Sequence, residues 1–347
     1  MAKKSSRSSS SAAPANKGAS VTLIDVAKVA GVSPITVSRA LHRPEVVSED
    51  ARKKVLEAVR VTGYVPNMLA GGLASNKSRL IAIFVPTIAH SIFAETVQSL
   101  MDHLTAAGYQ TMIGLTGYSA EQEERLLGAV LGRRPDGIVL TGTLHTEESR
   151  LRLQAAGIPV VEAWDLGASP IDMQVGFSHE KVGQALANHL HGKGYRRFAI
   201  VSVDDSRAFR RGNSVIAQLK ELGVDEVPMA VLGAPATLQS GREGLRQLLA
   251  DGHQPQVIVC SSDTVAQGIL AEAASRGIEV PGQLAVMGFG DLSSAAHLHP
   301  ALSTVNVDGA RMGKQVANAL LQRFRDAGEQ APVRVDTGFT LVDRSTT

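Results

Sequence analysis

Residues 22–41, TLIDVAKVAGVSPITVSRAL, constrain the fold most, because they predict two short helices joined by a tight turn. Thr22 and Asp25 stand at the capping-box spacing that starts a helix. Gly31 tolerates the left-handed backbone of a sharp turn, and Ser33 before a proline is a helix cap followed by the favoured first helical residue. The stretch therefore predicts a helix-turn-helix, with an ordinary helical hairpin as the alternative.

The second of these helices is amphipathic. Val37, Ala40 and Leu41 share one face, while small, polar and basic side chains are left facing outward. Such a face fits the major groove of DNA, where the first turn of the second helix lies nearest the base edges. The candidate DNA contacts in this stretch are Thr22, Ser33, Pro34, Ile35, Thr36, Ser38 and Arg39.

The net charge of +2 conceals an uneven distribution along the chain. Residues 1–79 hold 13 Lys and Arg against 5 Asp and Glu, a net charge of +8, so the remainder carries −6. A basic excess beside a helix-turn-helix favours a nucleic-acid partner. Residues 1–20 predict a disordered basic tail. Neither a signal-peptide core nor a membrane-spanning apolar run is present, which predicts a cytoplasmic protein without a membrane partner.

A third helix is predicted from Ser48 to about Thr62, with Val55, Leu56 and Val59 as its buried side chains. The runs TLIDVAKVAGVS, TVSRAL, VVSEDARKKVLEAVRVTGYVPN and LAGGLAS follow one another with their spacing intact. Together they resemble the DNA-binding headpiece of the LacI/GalR (lactose-repressor) family of bacterial transcription regulators.

The resemblance implies a headpiece over residues 21–66 and a hinge over residues 67–78 that folds on operator DNA. The implied DNA contacts of the hinge are Asn67, Ala70 and Leu73, and Leu73 would wedge between base pairs in the minor groove and bend the duplex. Glycines at positions 71 and 72 depart from the family pattern, and each costs roughly 1 kcal/mol in a helix. We therefore expect the hinge to be disordered away from DNA.

Beyond the hinge, short apolar runs alternate with amphipathic helices, which predicts parallel sheets with helices on both faces. The pattern starts afresh halfway, so two α/β lobes are expected, with a last strand over residues 337–342. By resemblance these lobes form a periplasmic-binding-protein-like core, over residues 79–347, that binds an effector and dimerises. The first lobe is predicted over residues 79–177 and 309–335, and the second over 178–306 and 336–347.

Ligands of such sheets bind beyond the carboxyl ends of the strands, where the two lobes face each other. Acidic side chains can accept sugar hydroxyls, an aromatic face can stack on a sugar, and arginine can grip a carboxylate. The alternatives are core positions for the aromatics, a solvated helix start for the arginines and a helix cap for Asp263. The candidate effector-binding residues are His90, Phe93, Glu162, Trp164, Asp165, Phe177, Arg207, Arg210, Ser262, Asp263 and Asp291.

Within the family, several runs resemble gluconate-type repressors: FAE at 93–95, AGYQTM at 107–112, EQE at 121–123, TLHT at 143–146 and AGIPVVE at 156–162. This resemblance implies a homodimeric repressor of sugar-acid utilisation genes. Gluconate or 2-ketogluconate would bind between the lobes, disfavour folding of the hinge and release the double-stranded operator. A neutral sugar as effector, and activation in place of repression, are the alternatives.

An enzyme is the competing class of function. The run GFGDLS at 288–293 has the first two glycines of a dinucleotide fingerprint, but Ser293 replaces the third and no partner acid follows. Phosphate-loop, zinc-protease and nucleophile-elbow motifs are lacking, and the single cysteine, Cys260, predicts a buried inert thiol. We therefore expect no catalytic residue, cofactor or metal. The alternative is a sugar-binding module or sugar-modifying enzyme that carries a DNA-targeting domain.

Overall fold

The computed structural model describes residues 21–65, 77–88, 91–326 and 333–347. The predicted tail and most of the predicted hinge lie outside these ranges. Within the described ranges, no helix is long and apolar enough to cross a membrane. The predicted site residues that fall outside them are Asn67, Ala70, Leu73 and His90.

The chain divides into two units, residues 1–76 and 77–347. In the described part of the first unit, α1 (Leu23–Ala30), α2 (Pro34–His42) and α3 (Glu49–Thr62) enclose a small core. Leu56 was predicted to be buried, and this is wrong, because its side chain is 49% exposed. Val55 and Ala58, three positions apart, share the inner face of α3, and the 3.6-residue period turns Leu56 away from it.

The first lobe of the second unit is a six-stranded parallel sheet flanked by helices. Its strands are β1 (Leu80–Val85), β2 (Gln110–Leu115), β3 (Gly137–Thr141), β4 (Val160–Ala163), β5 (Met173–Gly176) and β11 (Arg334–Asp336). They lie in the order β11-β5-β4-β3-β1-β2. The helices are α4 (Ala94–Ala106), α5 (Ala120–Leu131), α6 (Glu147–Ala156) and α11 (Gly309–Arg325).

The second lobe repeats this architecture with four parallel strands. Its strands are β6 (Phe198–Val203), β7 (Met229–Leu232), β8 (Val257–Cys260) and β9 (Ala285–Met287), in the order β7-β6-β8-β9. Its helices are α7 (His179–Gly192), α8 (Ser206–Glu221), α9 (Leu238–Ala250) and α10 (Asp263–Ser275). A helix-turn-helix unit followed by an α/β core with parallel sheets confirms the predicted fold class.

The carboxyl-terminal segment differs from the prediction. In place of one strand over residues 337–342, β11 ends at Asp336 and β12 (Thr340–Val342) begins four residues later. Gly338 lies between them with φ +69°, and its N–H donates to Asp336 Oδ1 at 2.9 Å. β11 joins β5 in the first lobe, whereas β12 pairs antiparallel with β10 (Thr304–Asn306) beside the second sheet. The segment therefore contributes one strand to each lobe.

Candidate functional site

Side-chain caps begin both helices of the helix-turn-helix, and a left-handed glycine forms the turn between them. The Thr22 N–H donates to Asp25 Oδ2 at 3.0 Å, and the Asp25 N–H donates back to Thr22 Oγ1 at 3.4 Å. Gly31 takes the left-handed conformation, with φ +66°. Ser33 Oγ accepts from the Thr36 N–H at 3.2 Å, so α2 begins directly after the turn. These local bonds fix where the first turn of α2 lies.

The outward face of α2 is apolar at its start and basic further along. Ile35 is 64% exposed, and Pro34 and Arg39 are exposed beside it. Thr36 and Ser38 are partly buried, while Val37 and Ala40 form the inner face. Thr22, which caps α1, is exposed.

Positive charge in residues 21–65 is only partly neutralised. Lys28, Lys53, Lys54 and Arg60 each lie within 3.7 Å of a carboxylate on their own helix. The other three cations, Arg39, Arg43 and Arg52, make no ion pair with any described residue. The surplus positive charge therefore lies on α2, directly after it and at the start of α3.

In the second unit, an ion pair crosses the boundary between the lobes. Arg210 Nη1, on α8, lies 2.9 and 2.7 Å from the two carboxylate oxygens of Asp165, which follows β4. The Thr143 hydroxyl donates to Asp165 Oδ2 at 2.9 Å, and the Leu166 N–H donates to Oδ1 at 2.8 Å. Asp165 is fully buried, so its charge is held entirely by these donors.

Arg207 is a second arginine of α8 that reaches the first lobe. Its Nε and Nη2 donate to the Asp205 carboxylate at 3.1 and 3.2 Å. Burial raises the pKa of Asp205, but the charge and hydrogen bonds of Arg207, together with the charge of Arg211, outweigh burial and keep that pKa below its usual range. The Arg207 guanidinium also lies 5.4 Å from the centre of the Phe93 ring in the first lobe. Its Nη1 is buried and has no hydrogen-bond partner among the described residues.

Arg211 is buried beside them. Its Nη1 donates to His179 Nδ1 at 2.9 Å, its Nη2 donates to the Ser261 carbonyl at 2.6 Å, and its guanidinium carbon lies 3.6 Å from the centre of the Phe289 ring. Burial lowers the pKa of Arg211 to about 10, and burial with the nearby arginines lowers the pKa of His179 well below 6.5. Neutral His179 therefore donates through Nε2 to the Trp164 carbonyl, at 3.1 Å.

The candidate aromatic residues belong to the core at the lobe boundary. The Trp164 ring lies edge-on to Phe93 and to Phe177, with ring centres 5.1 and 6.0 Å apart. Phe177 continues the cluster to Phe289, at 6.1 Å. All four side chains are buried, so no flat face of Trp164 or Phe177 is open for stacking on a sugar in this conformation.

Two cavities lie at the boundary between the lobes. The first, of about 60 Å³, is lined by Tyr118 and Thr143 of the first lobe and by Asp205, Ser206 and Arg207 of the second. Burial, followed by the Asp205 charge, raises the pKa of Tyr118 to about 12, so its hydroxyl stays protonated. The second, of about 220 Å³, lies between Ser91–Glu95 and Gly290–Ser294.

The remaining candidates take part in bonds that hold the fold. Ser262 caps α10 through the Val265 N–H, at 3.3 Å. Asp263 accepts from the Leu292 N–H at 2.7 Å, and burial raises its pKa to about 6. Asp291 lines the second cavity, but its carboxylate is bonded to Arg344 at 2.7 Å and to Asn306 at 2.9 Å.

Glu162 is buried behind the wall of the first cavity, where it accepts from the Ile171 N–H at 2.8 Å. The structure therefore brings Phe93, Asp165, Arg207 and Arg210 together at the lobe boundary. It does not bring Glu162, Ser262 or Asp263 to either cavity.

These features match known proteins over both units. Residues 22–67 match the lacI family of bacterial regulatory proteins, and residues 187–347 match a periplasmic binding protein-like domain. The HTH-type transcriptional regulator GntR of Pseudomonas aeruginosa is 37% identical over 94% of this chain and 95% of its own length. The chain belongs to the LacI family. It is a DNA-binding transcriptional regulator, and the predicted resemblance to gluconate-type repressors is confirmed.

Solved structures of LacI-family regulators share the fold. A LacI-family transcriptional regulator from Silicibacter pomeroyi superposes with a TM-score of 0.87, at 32% identity, over 94% of this chain and 99% of its own. The transcription regulator GntR from Chromobacterium violaceum gives a TM-score of 0.73 at 35% identity, over 77% and 98%.

Sequence reasoning missed four residues that lie at the lobe boundary of this LacI-family regulator: Tyr118, Thr143, Asp205 and Arg211. Three of them follow the carboxyl ends of β2, β3 and β6, so the strand-end rule was able to find them. Arg211 carried no such signal, since the third of three nearby arginines on a helix is usually solvated. Among the described residues, no group of three or more His, Cys, Asp or Glu side chains is arranged to hold a metal ion.

Proposed function

We propose that this regulator represses sugar-acid utilisation genes and leaves its operator when gluconate or 2-ketogluconate binds between the lobes. The observation that carries the proposal is a buried guanidinium nitrogen, Arg207 Nη1, that has no hydrogen-bond partner among the described residues. The guanidinium groups of Arg207, Arg210 and Arg211 lie at the lobe boundary with Asp165, Asp205 and the more exposed Glu180, whose Oε1 is 3.4 Å from Arg210 Nε. An open donor on a buried cation favours an anionic ligand, because a buried charged donor without a partner is unfavourable.

Arg207 Nη1 is the best-placed receptor for the carboxylate of the ligand. The atom is buried, no described residue bonds to it, and the side chain lines the first cavity. A carboxylate oxygen there would complete the guanidinium's hydrogen bonds with a charge-assisted bond. Tyr118, Thr143 and Ser206 line the same cavity. The hydroxyls of Tyr118 and Ser206 can donate to or accept from the hydroxyls of a polyol chain, and the Thr143 hydroxyl, which donates to Asp165, can accept from them.

Binding requires the lobes to move. A cavity of about 60 Å³ is far smaller than ligand pockets of roughly 300–1,000 Å³. The Asp165–Arg210 pair joins the two lobes, so a ligand that binds Arg210 in place of Asp165 breaks this bond and allows the lobes to change their relative orientation. The effector can release DNA only to the extent that it binds the DNA-free state more tightly than the DNA-bound state. The coupling free energy is typically about 1–3 kcal/mol, and bound DNA lowers the affinity for the effector by the same factor.

The DNA contacts are part of the proposal. Ile35 supports an apolar contact to a thymine methyl group, because it is exposed at the start of α2. Arg39, Arg43 and Arg52 support phosphate or base-edge contacts, since no described carboxylate neutralises them. Two copies of the chain would read a pseudo-palindromic operator.

Pairing of two chains is supported by an exposed apolar edge. β2 is the outermost strand of the first sheet, and its Ile113 and Leu115 are 39% and 43% exposed. An unpaired edge with apolar side chains is a ready site for association with a second copy. Size measurement by light scattering checks this part of the proposal.

Calorimetric titration with gluconate, 2-ketogluconate, glucose and glucitol, repeated with the protein's own promoter DNA bound, tests the effector. Glucitol is the matched control, because it has the hydroxyls of gluconate without the carboxylate. We expect one of the two acids to bind and glucitol to bind at least about tenfold more weakly. We also expect bound DNA to lower the affinity of the protein for that acid. If glucitol binds as tightly as the acid, the proposal of a sugar-acid effector is wrong. If bound DNA raises the affinity for the acid, the acid does not act as an inducer.

A further inference from the structure

A buried histidine lies between two carboxylates just behind the first cavity. His145, in the connection between β3 and α6, has a fully buried side chain. Its Nδ1 is 2.6 Å from Glu123 Oε1 of α5, and its Nε2 is 3.4 Å from Glu162 Oε1 of β4. Glu123 itself lines the cavity, and Glu162 Oε2 accepts from the Ile171 N–H. The His145 side chain therefore joins three segments of the first lobe, its own loop, α5 and β4, and Glu162 adds the segment at Ile171.

The same connection carries the wall of the cavity. Gly142, Thr143 and Leu144, which directly precede His145, line it. The Thr143 hydroxyl donates to Asp165, the acid that pairs with Arg210 across the lobe boundary. A contiguous set of bonds thus runs from His145 through its own loop to the interlobe ion pair.

A purely structural role explains this arrangement poorly. Burial of one imidazole and two carboxylates is costly unless every polar atom is satisfied. Here Nε2 and Glu162 Oε1 face each other without hydrogen-bond geometry, and neither has another partner among the described residues. Three apolar side chains in place of the histidine and both glutamates would pack this site without that cost.

We propose that His145, clamped between Glu123 and Glu162, is a positioning residue that holds the loop of residues 142–146 so that Thr143 and Asp165 face the ligand. The inference rests on the proposed effector site. It adds that His145 fixes the position of residues 142–144, which line the first-lobe side of the cavity. His145 does not touch the ligand, and it acts through Thr143.

The protonation state of His145 gives the proposal a pH signature. Burial lowers its pKa, but the hydrogen bond with Glu123 and the close approach of Glu162, together with the charges of both carboxylates, outweigh burial and raise it from 6.5 to about 9. These two carboxylates, from α5 and β4, are the charged groups that face the ring, and Glu124 bonds the adjacent Thr146 hydroxyl. The clamp is therefore present at neutral pH and is lost as the pH rises through about 9.

The test compares His145→Gln with His103→Gln in the full-length protein. His103 is the matched control, because its ring bonds to the Ser99 carbonyl of its own helix, α4, and to no other residue in the described ranges. Affinity for gluconate and 2-ketogluconate is measured by calorimetry, and affinity for promoter DNA without ligand is measured by fluorescence anisotropy. We expect His145→Gln to lower the affinity for the acid that wild type binds by about tenfold. Its affinity for promoter DNA should stay within about twofold of the wild-type value. His103→Gln should change neither.

A pH series supplies the readout that a structural role would not move. Wild-type affinity for the acid should fall as the pH passes about 9, and this decline should be absent in His145→Gln. The imidazole nitrogens of His145, followed by NMR, should titrate near 9 and not near 6.5.

Three results overturn the inference. One is an unchanged acid affinity in His145→Gln, another is an equal loss of acid and DNA affinity, and the third is an imidazole that titrates near 6.5. If wild type binds neither acid, the proposed effector fails and the positioning role fails with it. If wild type binds and His145→Gln binds equally well, the positioning role alone is wrong.

Discussion

Arg210 of the second lobe holds both carboxylate oxygens of Asp165 of the first lobe through a single nitrogen, at 2.9 and 2.7 Å. Asp165 is buried and Arg210 is mostly buried, so the pair is shielded from water where the lobes meet. It is the bond that a ligand entering between the lobes has to rearrange.

Removal of either partner should destabilise the effector core, and the two changes should not add. Asp165→Asn removes the buried carboxylate that Arg210 binds and leaves only the more exposed Glu180, and Arg210→Gln leaves the buried charge of Asp165 without its cation. We expect a coupling free energy of about 1–3 kcal/mol in a double-mutant cycle, measured by urea unfolding of the two single variants and the double variant. Strict additivity would show that the interlobe pair does not stabilise this conformation.

Arg207→Gln should remove the selection for an acid. Loss of a charge-assisted bond at Nη1 should lower the affinity for gluconate about 10- to 100-fold and leave the affinity for glucitol unchanged, as measured by calorimetry. Arg133→Gln is the control, because that arginine is exposed just beyond α5 and, within the described part of the chain, its side chain bonds only to the Ala129 carbonyl of that helix. Retained preference for gluconate over glucitol in Arg207→Gln would assign the carboxylate to another group.

Arg39→Gln should weaken operator binding by about 1–3 kcal/mol and reduce the slope of log affinity against log salt by about one. Arg60→Gln should have little effect, because the Arg60 guanidinium is already bound to both oxygens of Glu57, at 2.9 and 2.6 Å. Anisotropy titrations at several salt concentrations measure both quantities. An unchanged salt slope in Arg39→Gln would remove this arginine from the DNA interface.

Glu272→Gln should lower stability in a pH-dependent way. Bonds from Arg246 and then Arg276 outweigh burial and lower the pKa of Glu272 from 4.5 to about 2. This stabilisation is complete above pH 4.5 and declines as the pH falls towards 2. The difference in melting temperature between wild type and variant should therefore shrink below pH 4.5. Glu226→Gln, at an 85% exposed side chain, should show no comparable difference.

Gly241→Ala should destabilise the second lobe by about 3 kcal/mol, because an added Cβ would collide with the Val265 carbonyl where α9 crosses α10. Gly192→Ala is the matched control. A Cβ there meets no atom within 4 Å, and alanine suits the end of α7 better than glycine. Urea unfolding should show a large loss for the first variant and a change within about 1 kcal/mol for the second. Equal stabilities would contradict the close helix contact.

Local pattern was enough to predict the elements whose causes are local. The capping box of Thr22 and Asp25, the left-handed Gly31 and the Ser33 cap depend on residues three or four positions apart. They located the helix-turn-helix before any tertiary contact was known. The strands β5 and β10, of four and three residues, are too short to show a period of two by themselves.

The sequence by itself determined the family, the two-unit organisation of helix-turn-helix and α/β core, and the arginines at 207 and 210. Only the tertiary structure decided how these arginines are used, because their partners lie up to 45 positions away in the chain. Arg210 pairs with Asp165, Arg207 retains a free nitrogen, and Arg211 is buried without a described carboxylate partner. Glu162 was a ligand candidate by position, yet the fold turns it toward His145, since side-chain direction on a buried strand depends on the neighbouring elements.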